Sequence, residues 1–270
     1  MENYTLKNGF TLPALAYGTW QVFGDELSTG VNTALDSGYT SIDTAFVYEN
    51  EEQIGKILAQ RGQNLDEITI TTKVWNEDQG YDKTMASYER SLKWLGKIDM
   101  LLIHWPGPDA ARFADTWRAF EKLYEDGKLK AIGVCNFKKH HLETLLKTAK
   151  IVPMVNQIET NPYMVDEETI AFCKEHGILV EAWSPLAHGA KVFTDPVIGE
   201  IAAAHGKTNA QVVIRFLLEM GLRVLPKSKT PQYIRENLAI FDFSLTDDET
   251  AKLRALNVME RVGPDPDTFF

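Results

Sequence analysis

Short runs of β-branched and apolar residues alternate with amphipathic stretches from one end of this 270-residue chain to the other, and few architectures satisfy that order. The runs fall at 15–18, 40–43, 67–73, 99–104, 131–135, 154–159, 179–182 and 223–225. Helical patterns fill the intervals at 26–37, 49–61, 82–95, 112–126, 138–148, 166–176, 208–220 and 231–239. Strands that alternate with helices pair in parallel, because each helix carries the chain back to the same end of the sheet. Eight such units with no linker or composition break predict one domain over 1–270, an α/β fold of the (β/α)8 TIM-barrel type. An open dinucleotide-binding sheet would carry GxGxxG after its first strand, and this chain has no such string.

Two features lie outside the eight-fold repeat. Asn8-Gly9, set between Tyr4–Leu6 and Phe10–Leu12, predicts an N-terminal β-hairpin. Helical patterns at 195–205 and 247–257 exceed the count and predict two additional helices. Charge then narrows the partners. Lys and Arg number 28 against 38 Asp and Glu, a net of −10, opposite to the basic excess that holds a nucleic-acid backbone. No run approaches the roughly 18–20 apolar residues that cross a bilayer. The opening MENYTLKNGFTLPAL lacks a basic leader with an apolar core. A cytoplasmic monomer that binds neither nucleic acid nor membrane is expected. Cys135 and Cys173, without CxxC spacing, are expected as reduced thiols rather than a disulfide or metal site, and no metal is expected.

In a (β/α)8 barrel the chemistry gathers where strands end and the following loops begin. Those positions carry Asp43, with Tyr48 on the loop beyond it, then Lys73, His104, Cys135-Asn136, Gln157, Glu159, Trp183-Ser184 and Lys227-Ser228. A lysine facing the barrel mouth keeps its charge only beside a carboxylate, and Asp43 on the adjacent strand supplies one. A phenol, with an ordinary pKa of about 10, donates a proton poorly at neutral pH unless its phenolate is favoured, as a nearby Lys73 ammonium would do. His104 then binds a carbonyl oxygen by hydrogen bonding. Taken singly, these residues read as a helix cap, a packed aromatic, a solvated strand end and a satisfied histidine. Together on one rim they read as a proton donor, its activator, a clamp and a carbonyl binder.

The ordered motifs Gly18-Thr19-Trp20, Ile42-Asp43-Thr44-Ala45-x-x-Tyr48-x-Asn50-Glu51, Thr72-Lys73-x-Trp75, Ile103-His104-Trp105-Pro106, Gly133-Val134-Cys135-Asn136-Phe137, Gln157-x-Glu159 and Pro226-Lys227-Ser228 span nearly the whole chain. In them the chain resembles the aldo-keto reductase family, and its Trp183-Ser184-Pro185-Leu186 stretch and short tail resemble the bacterial branch that includes 2,5-diketo-D-gluconate reductases. The resemblance implies reduction of aldehydes and ketones by NADPH, without metal or flavin, the alcohol leaving before the oxidised cofactor. It implies Tyr48 as general acid, tuned by Lys73 and Asp43, with His104 orienting the carbonyl.

By the same likeness Gly18, Thr19, Cys135, Asn136 and Gln157 bind the cofactor, with Asn136 and Gln157 on the nicotinamide carboxamide. Trp183 matches a residue stacked on the ring. Ser184, Pro185 and Leu186 match the pyrophosphate run, Lys227, Ser228 and Thr230 the 2′-phosphate pocket, Glu236 and Asn237 residues near the adenine, and Lys229 and Tyr233 are counted with the cofactor-binding residues beside the 2′-phosphate. Two positions depart from the pattern. Cys135 replaces the usual serine, and Tyr233 stands where NADPH-preferring members carry arginine, with Lys229 or Arg235 as compensating charges. NADPH with measurable use of NADH is therefore expected. Trp20, Val47, Trp75, His104 and Trp105 are expected to wall the substrate pocket, with Phe269 and Phe270 either folding over it or packing outside. Two other functions fit such a barrel less well: a non-catalytic nucleotide-binding regulatory or structural protein, and a hydrolase using Asp43 and Glu159 as paired acids.

Overall fold

The computed structural model describes residues 2–269. β1 (Asn3–Thr5) and β2 (Thr11–Pro13) form the antiparallel hairpin, with Tyr4 opposite Leu12. Eight strands then pair in parallel in chain order: β3 (Tyr17–Gly18), β4 (Ser41–Asp43), β5 (Thr69–Val74), β6 (Met100–Ile103), β7 (Ala131–Cys135), β8 (Val155–Glu159), β9 (Leu179–Trp183) and β10 (Arg223–Val224). The last strand returns to the first. Leu15 bridges Val224 in parallel, and the N–H groups of Ala16, Val224 and Gly18 donate to the carbonyls of Val224 (3.1 Å), Ala14 (2.9 Å) and Pro226 (3.1 Å). These bonds close the barrel.

The helices follow in chain order: α1 (Gly24–Asp36), α2 (Glu51–Arg61), α3 (Tyr81–Leu95), α4 (Ala110–Glu125), α5 (Lys139–Leu146), α6 (Glu167–His176), α7 (Ala190–Thr194), α8 (Pro196–His205), α9 (Asn209–Glu219), α10 (Pro231–Glu236) and α11 (Asp247–Arg254). The predicted additional helices are α8 and α11. Local chemistry starts them where the sequence says. Asp195 accepts from the N–H groups of Val197 and Ile198 with Pro196 in the first turn, and Thr246 exchanges capping bonds with Glu249. The five-residue α7 has too few residues for a periodic signal and was not anticipated. β5 begins at Thr69 rather than 67 because Leu65–Glu67 form a 3-10 turn, with Asn64 accepting from the Asp66 N–H.

The hairpin closes the end of the barrel where the strands start. Its Tyr4 hydroxyl donates to Leu222 O (3.0 Å), and Asn8 donates to Lys130 O (2.8 Å), just before β10 and β7. The opposite end stays open to the loops that carry the polar strand tips. Around the barrel, α2 packs so closely on α3 that a Cβ built on Gly55 would lie 1.8 Å from the Trp94 carbonyl oxygen. Gly55→Ala is expected to destabilise the chain by about 1–3 kcal/mol through overpacking. Gly199→Ala in α8, where an added Cβ meets nothing within 4 Å, is expected to stabilise it by about 0.4–1 kcal/mol. Urea denaturation followed by circular dichroism measures both, and matching midpoints would contradict the α2–α3 packing.

Candidate active site

β4 and β5 are neighbours in register Asp43↔Thr71, so Asp43 and Lys73 emerge side by side at the open end. Lys73, 1% exposed, places Nζ 2.6 Å from Asp43 Oδ1 and donates to Thr44 O at 2.8 Å. Burial alone would push this ammonium down. The charge and hydrogen bond of Asp43, with smaller contributions from Tyr48 and Cys135, together outweigh that, and Lys73 sits above the ordinary lysine range. Tyr48 ends a 3-10 turn, Phe46–Tyr48, that swings its ring back over the pair, with Lys73 Nζ 5.1 Å from the ring centre. Burial raises Tyr48 to about 12, although the Lys73 charge pulls it down as the sequence predicts. Desolvation wins, and the phenol holds its proton throughout the neutral range.

His104 follows β6 and packs edge-on to Tyr48 (5.6 Å between ring centres) and Trp75 (5.1 Å). Burial and the Lys73 charge drive its pKa well below 6.5, so the imidazole is neutral. Its Nδ1 is enclosed without a partner. An orphaned acceptor costs less than an orphaned donor, so the proton belongs on Nε2, which makes His104 a neutral donor. The four residues predicted to act together are therefore assembled at one end of the barrel, with Cys135, a buried thiol pushed well above its ordinary range chiefly by desolvation.

The pocket walls are placed unevenly. Trp75 and Trp105 flank His104, and Val47 precedes Tyr48 on the same turn. Trp20, 40% exposed, stacks on His188 at 5.6 Å. Of the two alternatives for the tail, the structure selects the first for Phe269, whose ring lies 4.5 Å from Trp105 and 6.0 Å from Trp75. Phe270 lies outside the described residues. The tail reaches this position because Lys138 grips Asp265 and Asp267, each at 2.6 Å, while Glu159 accepts from the N–H groups of Val262 (2.7 Å) and Gly263 (3.1 Å). Glu159 is thereby committed to the tail and Asp43 to Lys73, which leaves no paired acids for hydrolysis. His140, His141 and Asp267 also cluster here. His141 Nδ1 already accepts the Lys138 N–H, so its other nitrogen carries the proton and offers no lone pair to a cation.

The remaining residues expected at the cofactor begin at the ends of β7, β8, β9 and β10. Asn136 sits in the left-handed region (φ 62°), donating to His104 O (2.9 Å) and accepting from the Trp183 indole N–H (2.8 Å). Gln157 donates to Asp43 Oδ2 at 2.9 Å. Ser184, Ala187 and His188 all adopt positive φ around Pro185 and Leu186. Such strain in non-glycine residues gathers at ligand-handling loops. Lys227 is pushed down by burial and by the charge of Lys229, so two cations are held together without full neutralisation. Lys229 pairs with Glu26 at 2.7 Å. Ser228 Oγ accepts from the Thr230 N–H, Tyr233 is 54% exposed, Glu236 accepts from Gln232, and Asn237 is buried. Thr19 differs from the rest: it is fully enclosed and donates to Asp43 O (2.9 Å), so it braces Asp43, while Gly18 joins β10 in closing the barrel.

Sequence reading missed Glu181 and Arg223. Both are fully buried and paired with each other inside the barrel, and the available signal was a charge within each of two otherwise apolar strands. It also missed His188.

Comparison with known proteins agrees with this geometry. The model for the "Aldo/keto reductase family" matches residues 14–258. The chain is 48% identical to glyoxal reductase of Bacillus subtilis, over 98% of this chain and 96% of that protein. It is 46% identical to 9,11-endoperoxide prostaglandin H2 reductase of Trypanosoma cruzi, over 98% and 95%. A solved structure of a Gox0644 mutant in complex with NADPH superposes with a TM-score of 0.94 at 40% identity, over 100% of this chain and 98% of that one.

The neutral histidines give stability a definite pH dependence. As the pH falls through 6.5, the unfolded chain protonates at position 104 before the folded chain does. The contribution is complete above that value and is lost towards the depressed folded pKa. His141, lowered to about 4 chiefly by burial, acts in the same direction. The melting temperature is expected to decline between pH 6.5 and about 4, and His104→Gln to lose less over that interval than the native chain. Calorimetry across pH checks this, and parallel curves would overturn the neutral assignment.

Proposed function

Because the chain belongs to the aldo/keto reductase family, we propose that it reduces aldehydes and ketones to alcohols with NADPH, Tyr48 giving the proton. The observation that carries this reading is the enclosed set of Tyr48, Lys73, Asp43 and His104, with its proton states already arranged for donation. Reduced nicotinamide, when bound, supplies hydride to the carbonyl carbon. Tyr48 and the neutral His104 together hold the carbonyl oxygen. As that oxygen gains charge it becomes far more basic than a phenolate, so even a phenol at about 12 transfers its proton downhill. Lys73 then balances the phenolate, and Asp43 keeps Lys73 charged and in place. Trp75, Trp105 and Phe269 keep water from competing for the same donors.

Features of this chain support the cofactor. In a chain of net charge −10, Lys227 and Lys229 are held side by side where they repel each other, and a phosphate would relieve that cost. The strained Ser184–Gly189 backbone directly follows Trp183, whose indole is fixed by Asn136. Lys227, Ser228, Lys229 and Thr230 would hold the 2′-phosphate, Ser184, Pro185 and Leu186 the pyrophosphate, Tyr233, Glu236 and Asn237 the adenosine, and Asn136, Gln157, Cys135 and Trp183 the nicotinamide. The exposed Tyr233 brings no charge, and Lys229 is shared with Glu26; both favour residual use of NADH. Small dicarbonyls such as glyoxal, for which the Bacillus subtilis relative is named, are the substrate class we favour. No helix among the described residues is long and apolar enough to cross a membrane, and we read the chain as a cytoplasmic monomer that does not engage nucleic acid.

Tyr48→Phe is expected to lower kcat with 4-nitrobenzaldehyde or glyoxal by about 10²–10⁴-fold, the usual worth of a positioned acid, with NADPH affinity unchanged. Initial rates at 340 nm test it, and unchanged turnover would remove the mechanism. Lys227→Met is expected to raise KM for NADPH by roughly tenfold or more, the value of a charge-assisted hydrogen bond, with little effect on KM for NADH. Equal effects on the two cofactors would place the 2′-phosphate elsewhere.

A further inference from the structure

The Lys73–Asp43 pair does not stand alone. Asp43 Oδ2 accepts from Gln157 Nε2 at 2.9 Å, and the same nitrogen donates to Glu181 Oε2 at 2.8 Å. The other oxygen of Glu181 pairs with Arg223, whose remaining donors reach Pro13 O (2.8 Å) and Ser41 Oγ (2.6 Å). Glu181 and Arg223 are 0% exposed, and Gln157 is 2% exposed. A polar chain thus crosses the barrel from Lys73, at the catalytic end, to the hairpin that closes the other end.

One link in that chain has a special geometry. A glutamine side chain ends in an amide whose two sides differ only in hydrogen-bonding sense: one gives two protons, the other accepts. Here a carboxylate stands on each side of one position, and a carboxylate only accepts. The amide therefore has to place its NH2 between Asp43 and Glu181, and each hydrogen has its own acceptor. Its Oε1 is left over. Among the described residues it takes no hydrogen bond, and it is not one of the enclosed unpartnered atoms. With Asp43 alone, one hydrogen would fix the nitrogen loosely; with Glu181, both are committed.

We propose that Glu181, its charge balanced by Arg223, is a positioning residue that fixes the orientation of the Gln157 amide and so presents Oε1 as the acceptor at the nicotinamide end of the site. The proposal rests on the reading that Gln157 meets the cofactor carboxamide, whose NH2 needs an acceptor. Glu181 touches neither cofactor nor substrate; it acts through Gln157. Arg223 offsets a charge that would otherwise be costly inside the barrel.

Two measurements test this, the first on the native protein without cofactor. In a 15N-labelled sample the Gln157 side-chain NH2, identified by its loss in Gln157→Leu, is expected to show both protons shifted downfield and both protected from exchange. One fast-exchanging proton would overturn the proposal without any variant of Glu181. The second is NADPH affinity, read by quenching of tryptophan fluorescence. Glu181→Gln, whose amide can give or accept, releases the constraint and is expected to weaken NADPH binding by about three- to tenfold, the worth of one hydrogen bond. Benzaldehyde KM is expected to stay within about twofold, as no substrate-side bond is lost. Glu181→Gln/Arg223→Met, which removes the uncompensated cation, is expected to show the same loss while restoring the melting temperature. Unchanged NADPH affinity in both variants, with Gln157→Leu still weakened, would overturn the proposal alone. Unchanged affinity in Gln157→Leu would overturn the carboxamide reading beneath it.

Discussion

An ammonium buried to 1% exposure at the mouth of a barrel sets the terms for everything around it. Without a partner, a charge so enclosed would lose its proton or force the fold to rearrange. Asp43, two bonds to carboxylate and carbonyl oxygens, and the closing turn that carries Tyr48 keep Lys73 where it is. The consequences spread outward. The Lys73 charge reinforces burial in keeping His104 neutral and opposes burial at Tyr48. One cation thus favours a neutral imidazole on one side and lowers the cost of ionising a phenol on the other. Breaking such a pair by removing one member costs about 3–5 kcal/mol in typical proteins, so catalysis and folding draw on the same contact.

How legible this was depends on the range of the interactions. The strand and helix repeat was readable because periodicity is local, and the parallel register then carries Asp43, Lys73 and His104 to one end without further information. Tyr48 was readable from its spacing to Asp43. The sign of the Tyr48 shift was not, because desolvation depends on which groups crowd the hydroxyl in three dimensions. Glu181 and Arg223 were missed for a related reason: each looks like an isolated charge in an apolar strand, and only closure of the barrel brings them face to face. Thr19 adds a contact that its motif did not reveal, a hydrogen bond from its hydroxyl to the backbone carbonyl of Asp43.

Net charge and local charge also separate cleanly. The chain carries ten more acids than bases, yet just beyond β10 Lys227 and Lys229 stand close enough to disfavour each other. Opposing charge over the rest of the surface does not cancel that patch, because screening over about 10 Å confines each field to its own neighbourhood. The strained backbone of Ser184, Ala187 and His188 is maintained at the same rim.

Lys138, gripping Asp265 and Asp267, and Glu159, accepting from the N–H groups of Val262 and Gly263, hold the C-terminal segment so that Phe269 lies against Trp105. The ring beside the aromatic walls is thus contributed by a segment that takes no part in the eight-fold repeat, whereas the ammonium, the carboxylate, the phenol and the imidazole all come from the strands and loops of the repeat itself.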